Sequence, residues 1–149
     1  MKIYLATDHA GFYHKEKIKF WLEKWGYDYE DLGAFEYIER DDYPDFIRPA
    51  ARKVSEDPEN NRAIVLGGSG QGEAMVANRF PKVRAIVYCG HNLDIIKLSR
   101  EHNNANILSI GARFVSEEEA KEAIKLWLET AFSGEERHAR RIANIDKEF

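Results

Sequence analysis

Two hydrophobic periods alternate along this chain, and that alternation restricts its fold more than any other feature. Residues 2–7 form a short apolar run closed by Asp8-His9-Ala10-Gly11, which reads as a strand and a turn. Residues 13–25 then carry Ile18, Trp21, Leu22 and Trp25 at helical spacing, with Gly26 placed as a C-cap. The same succession recurs. Further strands are predicted over 27–32, 62–66, 83–89 and 106–110, and helices over about 45–55, 73–78 and 91–101. Ser116-Glu117-Glu118-Glu119 is a capping box for a long helix that should bury Ala120, Ile124, Trp127 and Leu128. A last helical segment is expected over about 135–147.

Parallel strands need crossover connections, and here each gap between strands has room for a helix. The predicted fold class is therefore α/β: a three-layer, Rossmann-like arrangement with a five-stranded parallel sheet, helices on both faces and a C-terminal helical extension. With 149 residues, no internal repeat and no Pro/Ser-rich joint, residues 1–149 read as one domain. Ligands of such sheets bind beyond the carboxyl ends of the strands. Asp8-His9, the loop 67–72 and Gly111-Ala112-Arg113 all fall at that edge.

Several function classes are disfavoured. A formal charge of −4 speaks against nucleic acid or an anionic membrane as partner. No apolar run approaches the roughly 20 residues of a membrane span, and the chain begins with a strand rather than a signal-peptide core. One cysteine, Cys89, rules out an internal disulfide and suits a reducing compartment, so the cytoplasm is the expected location. Cys89 is expected to be a buried packing residue.

Gly67-Gly68-Ser69-Gly70-Gln71-Gly72-Glu73 joins a buried strand to a helix. Glycines let backbone approach a ligand, and a helix start presents free N–H groups, so the loop suits an anion or a developing oxyanion. It is not a P-loop, which needs a lysine after the last glycine, nor the G-x-G-x-x-G of a dinucleotide site. No cofactor is expected. Glu73 lies in the first helical turn, where an acid is electrostatically welcome and can be merely structural. Beside an oxyanion hole it can instead act as a general base, provided that burial raises a pKa which the helix end would lower.

His9 and His102 each follow a structural element, and neither belongs to a set with metal-ligand spacing, so no metal is assigned. Arg137 and Arg141 are four residues apart and share a helix face, either as a solvated basic surface or as two forks for a phosphate.

Taken together, these segments resemble the type B ribose-5-phosphate isomerases, in the family that also holds the galactose-6-phosphate isomerase subunits. The resemblance is carried by Asp8-His9-Ala10-Gly11, Asp42-Tyr43-Pro44, the loop through Glu73, Ala77-Asn78, the run from Arg100 to Asn106, Gly111-Ala112-Arg113 and Arg137-His138-x-x-Arg141. It implies that Glu73 moves a proton between C2 and C1. It implies too that Ser69 and the N–H groups of Gly70 and Gly72 hold the enediolate oxygen, and that Gly68 and Gln71 belong to the same substrate-binding loop. His102 would assist ring opening with Asp8 and Tyr43 nearby, and Asn103 would bind substrate. His9, Arg113, Arg137, His138 and Arg141 would surround the phosphate. Some members carry a cysteine base where this chain has Gly67, so the resemblance is to the glutamate-base branch.

The topology adds an expectation about assembly. Glu73, Asp8 and His9 belong to the carboxyl edge of the sheet, whereas His102 and Asn103 end a helix that runs back towards the other edge. They should complete a neighbour's site, in a homodimer or dimer of dimers with shared sites. The expected reaction is the cofactor-free interconversion of ribose 5-phosphate and ribulose 5-phosphate. The alternatives are a hexose 6-phosphate (allose or galactose) isomerase and a non-catalytic module that binds a phosphosugar or nucleotide.

Overall fold

In the computed structural model, which describes residues 1–148, the alternation becomes five strands: β1 (Lys2–Thr7), β2 (Asp28–Asp31), β3 (Asn61–Gly67), β4 (Ala85–Tyr88) and β5 (Ile107–Gly111). All pair in parallel, in the order β2-β1-β3-β5-β4. Leu66 stands opposite Thr7 on one side and Ile110 on the other, so β1, β3 and β5 end level. That register delivers the segments following all three strands to one edge.

Both faces of the sheet are covered, which explains the near-continuous apolar runs in the central strands. Ile3, Leu5, Ile64 and Leu66 turn to a layer formed by α1 (Phe12–Trp25), α4 (Leu93–Glu101) and α5 (Glu117–Glu129). Tyr4, Ala6, Ala63 and Val65 turn the other way, onto α2 (Tyr43–Glu56) and α3 (Gln71–Ala77). Each large side chain so buried contributes about 1.5–3 kcal/mol. A slip of one residue would exchange Ile/Leu with Ala between the two layers, which makes the register specific. Ala120, Ile124, Trp127 and Leu128 are buried as expected, and Ser116 and Glu119 form both halves of the capping box.

Several boundaries differ from the sequence reading, for local reasons. α2 begins at Tyr43 because Pro44 fits the first turn, where its missing N–H is no loss. α3 starts at Gln71, and α4 at Leu93 after the Asn92 side chain caps the Asp94 N–H. The fourth strand is only Ala85–Tyr88 and lies at the sheet edge. Cys89, expected to be buried, is exposed: it follows the end of that edge strand, beyond the helix layers. α6 (Glu136–Ile145) ends in a 3-10 turn, Asp146–Glu148. Among the described residues, no helix is long and apolar enough to cross a membrane.

A strap, residues 33–42, runs from β2 to α2 across the carboxyl edge. It is pinned from below by Lys15, a fully buried cation whose Nζ donates to Asp31 and, at 2.7 Å, to the Ala34 carbonyl. A buried lysine is tolerated only when paired in this way.

Candidate functional site

The loop after β3 is held as a continuation of the sheet. Ala112 N–H donates to the Gly67 carbonyl at 2.9 Å, and Arg113 N–H to that of Gly68 at 3.1 Å. Gly70 adopts φ 76°, a left-handed conformation that favours glycine, and its carbonyl accepts from Ser109 Oγ at 2.6 Å. No side chain caps α3 at Gly70, so its first-turn N–H groups have no carbonyl partner of their own. Ser69 is exposed at the tip, with its Oγ 3.3 Å from the Gln71 N–H.

Glu73 folds back from α3 beneath this loop. Only 4% of it is exposed, and its carboxylate lies flat against the Cα of Gly67, where a Cβ would stand 1.9 Å from Oε1. Burial pushes its pKa above the usual carboxylate range. A hydrogen bond from its own backbone N–H opposes that shift, and the nearby charge of Asp8 adds to it. Burial thus outweighs the helix end, and a carboxylate with a raised pKa is suited to accept a proton near neutral pH.

Asp8 is buried at the end of β1, accepts from the Ala10 N–H at 2.9 Å, and also has its pKa raised by burial. His9 Nδ1 lies 2.7 Å from Oδ1 of Asp41 on the strap. The Tyr43 ring packs over Gly72, and the Arg113 guanidinium over Gly68. Asp8, His9, Tyr43, the loop 68–72, Glu73 and Arg113 therefore share one cleft edge, as the topology predicts.

The donor atoms of Asp8, His9 and Asp41 lie within 4.8 Å of one another, the spacing of a metal cluster. The short contact between the ring nitrogen and a carboxylate is instead that of a hydrogen bond, with a proton between the two lone pairs.

The remaining candidates gather elsewhere. His102 is the C-cap of α4, and its ring stacks on that of His138 at 4.2 Å with a 13° interplanar angle. His138 is buried on α6, and its pKa is lowered by burial and by the neighbouring His102. Arg137, paired with Glu135 at 2.9 Å, and Arg141 are exposed on the same helix, and Asn103 is exposed beside His102. This second group is anchored to the amino edge of the sheet. Arg100 reaches the carbonyls of Thr130 and Ala105, Ser133 N–H donates to Glu101, and Arg62 at the start of β3 reaches the end of α5. Four residue steps of β5 alone span about 13 Å, so one chain does not bring the two groups together.

Asp41 escaped the sequence reading, and so did the contact between Glu73 and Gly67. The double acid Asp41-Asp42 was visible, but nothing local says that the first turns inwards to His9 while the second is exposed. The Glu73 contact depends on how α3 folds back on β3, which no spacing rule encodes.

A doubly wound parallel sheet, with a glycine loop pinned at its carboxyl edge and a buried carboxylate beneath that loop, defines a class: the Rossmann-like α/β proteins. Comparison with known proteins identifies the member of that class. The sequence profile of the Ribose/Galactose Isomerase family matches residues 3–145, and the chain belongs to that family. It is 42% identical to ribose-5-phosphate isomerase B of Mycolicibacterium paratuberculosis, over 95% of this chain and 87% of that one. It is 35% identical to the Escherichia coli protein of the same name, over 97% and 93%. The crystal structure of ribose-5-phosphate isomerase B from Mycoplasma genitalium with bound ribulose-5-phosphate superposes with a TM-score of 0.94 at 33% identity, over 99% of this chain and 95% of that one. The Clostridium thermocellum ribose-5-phosphate isomerase B gives 0.92 at 38% identity, over 99% and 97%.

Proposed function

We propose that this protein interconverts ribose 5-phosphate and ribulose 5-phosphate by proton transfer through an enediolate, with Glu73 as the base. The observation that carries the reading is the buried Glu73 carboxylate beneath the mouth of the glycine loop, its pKa raised by burial. Glu73 removes the C2 proton and returns it at C1. As C2 loses its proton, negative charge develops on the oxygen carried by C1, where Ser69 Oγ and the N–H groups of Gly70 and Gly72 receive it, with Gly68 and Gln71 completing the loop. A proton passes from the C2 hydroxyl to the C1 oxygen as C1 is protonated and the ketone forms. Binding of the distant phosphate by His9 and Arg113 holds C1 and C2 beneath the base.

Ring opening and the rest of the phosphate clamp come from a second subunit. His102 and Asn103 sit in the group at the amino edge, with Arg137, His138 and Arg141. A symmetric dimer in which each chain lends this group to its partner completes two sites with one interface. The single exposed cysteine and the absence of a long apolar helix among the described residues support the cytoplasm as the compartment.

The test is conversion of ribose 5-phosphate by purified protein, beside Glu73→Gln and with allose 6-phosphate as a second substrate. Pentose turnover that the variant loses is the expected result. Turnover surviving in Glu73→Gln would move the base elsewhere, and preference for the hexose would change the substrate.

A further inference from the structure

Asp41 stands at the cleft edge with no task in the proposed chemistry, and its surroundings are unusual. Its side chain is 8% exposed, and a single oxygen, Oδ1, accepts both the backbone N–H of His9 at 3.0 Å and the ring Nδ1 at 2.7 Å. The other oxygen, Oδ2, is buried with no hydrogen-bond partner. Leaving a buried charged acceptor unsatisfied is costly, so local folding preference alone does not account for it.

A carboxylate only accepts, so Nδ1 of His9 must carry the proton that lies between them. The ring is then held at two points, through its backbone N–H and through Nδ1. The edge of Tyr37, 6.2 Å from the imidazole, adds a third contact from the same strap. Among the described residues no hydrogen bond engages Nε2. The strap is itself secured by Lys15 through the Ala34 carbonyl, so Asp41 is not free to follow the ring.

Resting on the proposed place of His9 beside the phosphate, we infer that Asp41 is a positioning residue that accepts the Nδ1–H of His9 and so aims the Nε2 edge at the substrate phosphate, to which Nε2–H donates when both ring nitrogens carry protons. Without this acceptor the ring is free to rotate, and it presents an Nε2–H to the phosphate in only part of its population. Asp41 acts through His9 and touches no reacting atom, so its loss acts first on phosphate binding and reaches the proton-transfer step only through the placing of the substrate.

The test uses the full-length protein, with Asp41→Leu to remove the acceptor and Asp41→Asn to keep it. Nitrogen-15 spectra of the histidine rings, with and without phosphate, report which His9 nitrogens carry protons without any turnover, and titration with inorganic phosphate reports affinity. The expected result is that His9 in the wild-type phosphate complex carries protons on both ring nitrogens, that Asp41→Leu loses this form, and that phosphate affinity weakens by roughly tenfold or more. KM for ribose 5-phosphate should rise in parallel, with a larger change in KM than in kcat, and Asp41→Asn, whose side-chain oxygen still accepts from Nδ1–H, should restore both ring state and affinity. Should Asp41→Leu fail to fold, Asp41→Ala replaces it. An unchanged His9 spectrum, or a fall in kcat with phosphate affinity intact, would overturn the assignment. Absence of ribose 5-phosphate turnover in the wild type would instead count against the proposed function, since the spectra and the phosphate titration do not depend on it.

Discussion

Adding one methyl group at Gly67 should disable the enzyme while leaving its fold in place. The added Cβ would lie 1.9 Å from Oε1, 2.1 Å from Cδ and 2.5 Å from Oε2 of Glu73. Non-bonded carbon contacts settle near about 3.5 Å, so the carboxylate must retreat by roughly 1.5 Å. Misplacing a reacting group by 1 Å can cost about 100-fold in rate, so kcat of Gly67→Ala should fall at least that far. Gly67 is not among the residues with positive φ, so alanine brings no backbone strain, and overpacking should cost about 1–3 kcal/mol. Kinetics with ribose 5-phosphate and a thermal melt measure the two effects separately. The double variant Gly67→Ala/Glu73→Ala should turn over no more slowly than Glu73→Ala and melt above Gly67→Ala, because the clash is gone. If Gly67→Ala keeps kcat within about threefold of wild type, the carboxylate does not work from this position.

Glu73→Gln should raise the melting temperature at neutral pH. A carboxyl whose folded pKa is raised stabilises fully below its unfolded pKa and loses that contribution as pH rises through the folded value, so the gain should vanish near about pH 4. A melting curve that shows no pH-dependent difference between variant and wild type would refute this. Ser69→Ala should lower kcat by about 100- to 1,000-fold without abolishing turnover, as expected for one oxyanion donor among several. Unchanged kcat would assign the oxyanion to backbone groups alone. Co-expressed Glu73→Gln and His102→Ala chains, each inactive alone, should recover about a quarter of wild-type activity, because half the dimers are hybrids with one intact site. A mixture that stays inactive would refute sharing of sites between subunits.

The fold was legible because each strand of the core is buried on both faces, so Ile3 to Ala6 and Ala63 to Leu66 announce themselves as apolar runs between helical periods. Boundaries were harder to read where a single residue decides them, as with Pro44 and Asn92. Cys89 misled because hydrophobicity in a β-branched strand does not reveal that the strand lies at an edge. In the site, residues that follow strand ends could be placed from topology, and so could His102, which caps the end of a helix running back towards the other edge. Asp41 could not be placed, because its contact with His9 spans 32 residues and depends on the path of the strap.

The attachment of the glycine loop to β5 has a bearing on its motion. Gly67 and Gly68 lend their carbonyls to Ala112 and Arg113 as though the sheet ran on past its strands, and Ser109 clasps Gly70 from below. Such a loop shares the cooperative unit of the central strands, which opens only at a free energy near that of global unfolding. The Ala112 and Arg113 amides should accordingly exchange with solvent as slowly as the sheet interior. On the proposed reading, substrate meets an oxyanion site already in place, and whatever gating the cycle requires falls to the strap or to the proposed meeting of subunits.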